Sequence, residues 1–240
     1  GVKVSGGVDD RTPLNEADHS AYRSSVMRAA YLGMDRPEIQ YAVQQCARSM
    51  SAPVEADWVK LKRIARFLLF APRLVQLFKR QNSVDKLVIE CDADFAGDSV
   101  SRKSTSGFVA FLGQHCIATA CKSQSVIALS SGESEFYSLG GAVSRSLGLK
   151  SILADLGVHV SSVTVYSDSS AALGLAWRRG LGKAKHIATV YLWFQQAVKE
   201  KLIVLHKVHG LKNRSDLFTK YLDSPRIFML LKAMGFVQKE

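Results

Sequence analysis

The spacing of apolar and polar residues changes character along the chain. After Asp35-Arg36-Pro37, the residues Ile39, Ala42, Val43, Cys46 and Met50 recur at helical spacing, with Pro37 suited to a first helical turn. A second amphipathic helix is predicted after Pro53. It carries Val54, Trp58, Leu61, Ile64, Ala65 and Leu68 on one face and Lys60, Lys62, Arg63 and Arg66 around the rest, and it is expected to pack on the first. Near Asn82-Ser83 the period shortens. Residues 86–91 read as a strand, and 107–113 and 116–121 read as two more, joined through Gly113-Gln114-His115 into an antiparallel hairpin. Ser130-Ser131-Gly132-Glu133 is a helix-capping signature, continued by Phe136, Leu139, Val143 and Leu147. A strand at 163–166, a helix at 171–177, a helix at 189–199, a strand at 202–205 and a helical segment from about Asn213 complete the pattern. Three strands followed by alternating helices and strands predict an α/β layer with a mixed sheet, because crossovers through helices permit parallel pairs. Residues 1–17 are polar and Gly-rich without periodicity, and predict a disordered lead-in.

Composition narrows the class. In 240 residues, 47% are hydrophobic and 22% charged, which excludes disordered, collagenous and coiled-coil chains. The 32 Lys and Arg outweigh 21 Asp and Glu for a net charge of +11, so a polyanion is the first partner to expect. Seven basic residues and no acidic one fall between positions 60 and 80, a phosphate-tracking face or a solvated one. The four cysteines, at 46, 91, 116 and 121, are too few and too irregular for a disulfide framework, and fit a reducing compartment. Cys116 and Cys121 with His115 look like half a zinc site, but no second Cys/His cluster completes it. The longest apolar stretch, 67–78, is broken by Pro72-Arg73 and falls short of the ~20 residues of a spanning helix. The start at Gly-Val-Lys, without a signal peptide, is expected of a piece of a longer protein.

With acidic residues scarce, their placement is informative. Asp92 and Asp168 each follow directly on a predicted strand, at the edge where open α/β sheets bind ligands. Glu135 lies in the early turns of the helix opened by Ser130, and Asp216 at the start of the last helical segment. Convergence of all four on one edge would need cations, and hard, oxygen-binding Mg²⁺ is the natural choice. Two such ions about 4 Å apart can clamp a scissile phosphate. The plain alternative is that an Asp after a strand is a turn residue or helix cap, a role open to Asp168 before Ser169-Ser170. An EF-hand reading of Asp92, Asp94 and Asp98 fails for want of the terminal Glu.

The motif Asp92-Ala-Asp-Phe-Ala-Gly-Asp98, then Arg102-Lys-Ser-Thr-Ser-Gly-Phe108, then Ser130-Ser-Gly-Glu-Ser-Glu-Phe-Tyr137, resembles the ribonuclease H domain of Ty1/copia-type retrotransposon polyproteins. Tyr166-Ser-Asp-Ser-Ser-Ala-Ala172, Lys185-His-Ile187 and Ser215-Asp-Leu-Phe-Thr-Lys220 continue the likeness. Upstream, Tyr22-Arg-Ser-Ser-Val26, Arg36-Pro-Glu-Ile-Gln-Tyr-Ala-Val43 and the stretch from Trp58 to Phe67 resemble the segment that joins reverse transcriptase to that domain. The likeness covers roughly residues 20 to 235.

The resemblance implies a ribonuclease H-like mixed five-stranded sheet flanked by helices, and Mg²⁺-dependent hydrolysis of the RNA strand of an RNA/DNA hybrid by two ions, with Mn²⁺ as a substitute. It implies Asp92, Glu135, Asp168 and Asp216 as the metal-binding set. It also implies a loop histidine for proton transfer, His206 or His209, with His206 preferred. Arg102, Lys103, Ser104, Thr105, Lys185, His186, Lys60 and Arg63 are the expected nucleic-acid contacts. Family members usually follow the Lys-His pair with an acidic residue and soon an Arg, where this chain has Ala188 and Val190. The family's Tyr-x-Asp-Asp polymerase turn is absent, so DNA synthesis is not expected of this piece. The expected division is a lead-in at 1–19, a helical reverse-transcriptase connection at 20–84, the ribonuclease H-like domain at 85–222 and a helical tail at 223–240. The expected partner is the polymerase domain of the same polyprotein, in a cytoplasmic virus-like particle with access to the nucleus and without a membrane. A non-catalytic module that only binds hybrid or structured RNA, and a DNA-processing enzyme of the integrase class, are the rival readings.

Overall fold

The computed structural model describes residues 11–82, 84–178, 180, 187 and 192–238. Among them two compact units are divided between residues 74 and 75, the second running to 237.

In the first unit, α1 (Glu16–Leu32), α2 (Gln40–Ala47) and α3 (Glu55–Phe70) surround a core of Tyr22, Val26, Ile39, Val43, Cys46 and Ile64. The Tyr22 hydroxyl satisfies the Cys46 carbonyl at 2.7 Å. Arg36, 8% exposed, donates to Glu38 at 2.6 Å and to the carbonyls of Ala71 and Pro72 at 2.6 and 3.3 Å, which fixes the chain where α3 ends. Helix α1 begins inside the stretch expected to be an unstructured lead-in. Only Tyr22 and Val26 of it are fully buried, so it shows little apolar periodicity. Its start is marked instead by Asn15, whose side chain caps the Asp18 N–H at 2.9 Å. Lys60 and Arg63 are exposed on α3, and Lys60 pairs with Asp57 at 2.8 Å.

The second unit is built on five strands, β2 (Lys86–Ala93), β3 (Thr105–Leu112), β4 (His115–Ser123), β5 (Ser162–Ser167) and β6 (Val204–Lys207), in the order β4-β3-β2-β5-β6. The β2–β3 and β3–β4 ladders are antiparallel; β2–β5 and β5–β6 are parallel. This is the mixed five-stranded, ribonuclease H-like sheet that the resemblance implied. A separate short pair joins β1 (Leu74–Gln76) to β7 (Phe236–Gln238).

Alternation along β2 sends Leu87, Ile89 and Cys91 into a core with Phe136, Leu139 and Val143 of α4 (Ser131–Asp155), Leu173 of α5 (Ser170–Ala176) and Phe194 of α6 (Trp193–Lys199). A Cβ at Gly140 would approach the Phe194 ring to 3.0 Å, so a glycine lets α4 and α6 meet closely. Glu90 and Asp92 point to the other face, covered by the 3₁₀ segment Arg214–Phe218; α7 (Ser224–Ala233) follows it.

Two elements differ from their sequence reading. The sixth strand lies at Val204–Lys207 rather than 202–205, because its pairing with residues 164–167 of β5 sets the register. The segment from Asn213 is a 3₁₀ turn, and the helix waits until Ser224, where Asp223 caps the Arg226 N–H at 3.0 Å and a proline occupies the first turn. Of the helix expected at 189–199, residues 193–199 are helical, and Lys185, His186, Ala188 and Val190 lie outside the described residues. No described helix is long and apolar enough to cross a membrane.

Candidate active site

Three elements deliver three carboxylates to one point. Asp92 stands near the end of β2, and Asp168 follows the last residue of the parallel neighbour β5. Glu135 comes from the first turns of α4, which Ser130 opens by accepting the Glu133 N–H at 3.2 Å. The Ser138 hydroxyl, one turn on, donates to the Asp92 carbonyl at 2.7 Å and fixes α4 against β2. One oxygen from each of Asp92, Glu135 and Asp168 lies within 4.8 Å of the others.

Such a cluster is costly without a cation. At an effective dielectric near 20, two full charges about 4 Å apart repel by about 4 kcal/mol. Burial first, then the charges of Asp92 and Asp168, push the Glu135 carboxyl up to about 9. Burial and the charge of Asp92 also raise Asp168. Asp92, 1% exposed, is raised by burial and drawn back by the Lys220 ammonium and the Thr219 hydroxyl, which donates to its Oδ2. Oε2 of Glu135 is buried without a hydrogen-bond partner. An all-oxygen anionic set with an unsatisfied carboxylate oxygen fits a hard divalent cation such as Mg²⁺ or Mn²⁺.

Asp216 takes part differently. It is 8% exposed, and both of its oxygens already accept from cations: Oδ1 from Lys220 at 2.6 Å and Oδ2 from Arg226 at 3.3 Å. Lys220 also reaches Oδ2 of Asp92 at 3.2 Å. Against burial that would lower it, the charges of Asp92 and Asp216 hold the Lys220 ammonium above its ordinary range. Asp216 is therefore beside the three-carboxylate group, joined to it through a lysine.

The segment carrying Asp216 is sewn to β2 residue by residue. The Arg214 guanidinium Nε donates to Glu90 at 3.0 Å and lies 3.7 Å above the Phe111 ring. Asn213 donates to the Cys91 carbonyl at 3.0 Å, and Thr219 to Asp92. Sequence reading missed Thr219, Lys220 and Arg226. Lys220 was legible in principle as a cation four residues after Asp216, a spacing that pairs charges in any helical turn; Arg226 was not, since it arrives from the next helix.

The expected nucleic-acid contacts divide. Arg102 is exposed at a left-handed backbone position (φ 57°), and Lys103 is half-buried. Ser104 and Thr105 are fully buried, so they correct the expectation of phosphate-binding hydroxyls. Ser104 Oγ accepts the Ala96 N–H at 3.0 Å and Thr105 Oγ1 donates to Asp94 at 3.2 Å, holding the loop after β2. His206 is exposed on β6 and stacks on Tyr166, with centroids 5.6 Å apart. His209 precedes Gly210, where an added Cβ would lie 3.2 Å from Oδ2 of Asp168. His209 itself is exposed and caps the turn at 210–212, its Nδ1 accepting the Leu211 N–H at 3.3 Å. A cleft of about 300 Å³ between the β3–β4 hairpin and α4 carries exposed Lys122 and Arg145 with several serine hydroxyls, and among the described residues no acidic one lines it. Its Ser106 and Gly107 stand opposite Ala93 and Asp92 in the β2–β3 ladder.

No known family profile matches the chain. It is 31% identical over 223 residues to the retrovirus-related Pol polyprotein from transposon RE2 of Arabidopsis thaliana, and 32% identical over 207 residues to that from transposon RE1 of the same plant. These alignments cover 92% and 85% of this chain but only 15% and 14% of the relatives' lengths. Among solved structures it is similar to the N-terminal RNase H domain of Rv2228c from Mycobacterium tuberculosis (14% identity, 62% of this chain and 97% of that one, TM-score 0.38). It is also similar to LC11-RNase H1 in complex with an RNA/DNA hybrid (15% identity, 55% and 93%, TM-score 0.37). At those scores the fold assignment stands on strand order and ladder direction. On these relatives the chain is a homologue of one part of the retrovirus-related Pol polyproteins of copia-like transposons, and its strand order and ladder directions are those of a ribonuclease H-like sheet.

Proposed function

We propose that this chain cleaves the RNA strand of RNA/DNA hybrids endonucleolytically, in a Mg²⁺-dependent hydrolysis, as part of a longer Pol polyprotein that reverse-transcribes a retrotransposon. The observation that carries the reading is the meeting of Asp92, Glu135 and Asp168 within 4.8 Å at the carboxyl edge of two adjacent parallel strands. These three would hold one ion, and Asp92 with Asp216 a second. When bound, such ions activate a water for attack on phosphorus and stabilise the leaving oxygen.

The chain's own groups do the rest. Thr219 and Ser138 fix Asp92 at its side chain and its carbonyl, so the carboxylate is oriented before substrate arrives. His209 accepts the Leu211 N–H at Nδ1 over 3.3 Å, which leaves Nε2 to hold the proton delivered to the leaving group. Lys122 and Arg145, in the acid-free cleft whose Gly107 lies across the ladder from Asp92, neutralise phosphates of the hybrid near the scissile one. Recognition rests on duplex shape and the ribose 2′-OH, with little sequence preference.

The test is incubation of the purified chain with a labelled hybrid, with and without Mg²⁺. Cleavage that requires Mg²⁺ and disappears in Asp168→Asn is expected. A variant that cleaves as well as the parent overturns the assignment, and salt-sensitive binding without Mg²⁺-dependent cleavage identifies a binding module instead.

A further inference from the structure

The cation between the carboxylates of Asp92 and Asp216 belongs to the protein. Lys220 Nζ stands 2.6 Å from Oδ1 of Asp216 and 3.2 Å from Oδ2 of Asp92. Asp216 does not join the group of three, and its other oxygen is taken by Arg226. The two cations differ in tenure. The Arg226 side chain is 19% exposed, whereas the Lys220 side chain is 43% exposed on a flexible stem. Of the two, Lys220 has the more room to swing into solvent.

A divalent ion bridging Asp92 and Asp216 would need their oxygens at about 2.0–2.1 Å for Mg²⁺. Those oxygens already surround the ammonium at hydrogen-bond distance, so ion and ammonium exclude each other by size and by like charge. The ion held by Asp92, Glu135 and Asp168 meets the ammonium only at Asp92, because among the described residues neither Glu135 nor Asp168 forms a salt bridge with a Lys or Arg.

Resting on the proposed function above, we propose that Lys220 is an exchangeable cation. Its ammonium occupies the position of the second divalent ion, which binds only by displacing it, while the first ion keeps in Glu135 and Asp168 two ligands that the ammonium does not bridge. Lys220 is therefore a positioning residue: it balances Asp92 and Asp216 at low divalent-ion concentration and sets the concentration at which the second ion enters.

The test needs no nucleic acid and no turnover. Free Mn²⁺ is counted by electron paramagnetic resonance during titration of the whole chain. The parent is expected to bind one ion tightly and a second about tenfold or more weaker. Lys220→Met is expected to tighten the second by about tenfold and to leave the first within about twofold. Lys220→Arg, which keeps the charge, retains the weak second site. If Lys220→Met does not fold, Lys220→Gln, which still donates to Asp216, serves in its place. Two equally tight ions in the parent, or an unchanged second site in the neutral variant, overturns the proposal while leaving the proposed function standing. Absence of any saturable Mn²⁺ site overturns both.

Discussion

Gly107 stands directly across the β2–β3 ladder from Asp92, and a Cβ on it would come within 2.7 Å of the Ser215 carbonyl oxygen and 2.8 Å of Thr219 Cγ2. The lack of a side chain at this position lets the segment bearing Asp216, Thr219 and Lys220 lie down on the sheet beside Asp92. Gly107→Ala should cost about 1–3 kcal/mol through overpacking, and lower Mn²⁺ affinity and hybrid cleavage together. Gly148→Ala in α4, where a Cβ meets open space, should stabilise by about 0.5–1 kcal/mol and leave both untouched. Thermal melts and Mn²⁺ titrations of the two variants make the comparison; equal melting temperatures would contradict it.

Stability without divalent ions should fall as pH rises. In the folded chain Glu135 is raised to about 9, and Asp92 and Asp168 are raised above their ordinary values. An unfolded Glu releases its proton near pH ~4.3. Between that point and about pH 9 the folded state binds more protons, so the stabilising contribution is complete at acid pH and is lost as pH climbs through the folded value. Glu135→Gln should flatten this slope and raise the metal-free melting temperature at pH 8 by roughly 2–6 °C, for about 1–2 kcal/mol. Saturating Mg²⁺ should raise the parent's melting temperature at the same pH and the variant's much less. Melting curves from pH 5 to 9, with and without Mg²⁺, decide the matter.

Lys122 and Arg145 should act on binding without acting on chemistry. Replacing both by Gln is expected to lower the slope of log affinity for hybrid against log salt by about 1–2, at about 0.9 per phosphate contact for duplex DNA. The rate at saturating hybrid should stay within about twofold. Fluorescence anisotropy in EDTA across a salt series measures the slope; an unchanged slope would remove the cleft from the substrate's path.

The two histidines should separate cleanly. His209→Ala is expected to reduce saturating cleavage by about 10²-fold, the lower range for a lost general acid. His206→Ala, which only unstacks a ring from Tyr166, should have little effect. Single-turnover rates across pH distinguish them, and the reverse order would place proton transfer at β6.

The parts of the fold that the chain declares locally are apolar runs bounded by turns and caps. Strand β2 and the β3–β4 hairpin announce themselves as short apolar runs, the hairpin also by its Gly113 turn, and the start of α4 by the Ser130 cap, while Asp92 and Asp168 follow from strand ends. Helix α1 does not, because it hides little more than Tyr22 and Val26. Ser104 and Thr105 read as solvent-facing hydroxyls in a polar run, yet the loop after β2 turns them inward to serve Ala96 and Asp94. Lys220 and Arg226 acquire meaning only when the chain returns to β2, since a charge pair between distant segments leaves no local pattern. Their capture of Asp216 is the point at which residue type alone, a fourth carboxylate, says least about chemistry.

Glu90, Cys91 and Asp92 are each tied to residues between 213 and 219, the middle tie joining positions 122 residues apart. Translation therefore completes the three-carboxylate cluster long before it supplies the groups that orient Asp92 and neutralise Glu90. A nonsense codon just after residue 212 would spare every strand of the large sheet and all three clustered acids. It would leave Glu90 without its arginine and Asp92 without its threonine or lysine. The stretch from 213 to 220 is therefore as decisive for the geometry around Asp92 as the motif that contains Asp92 itself.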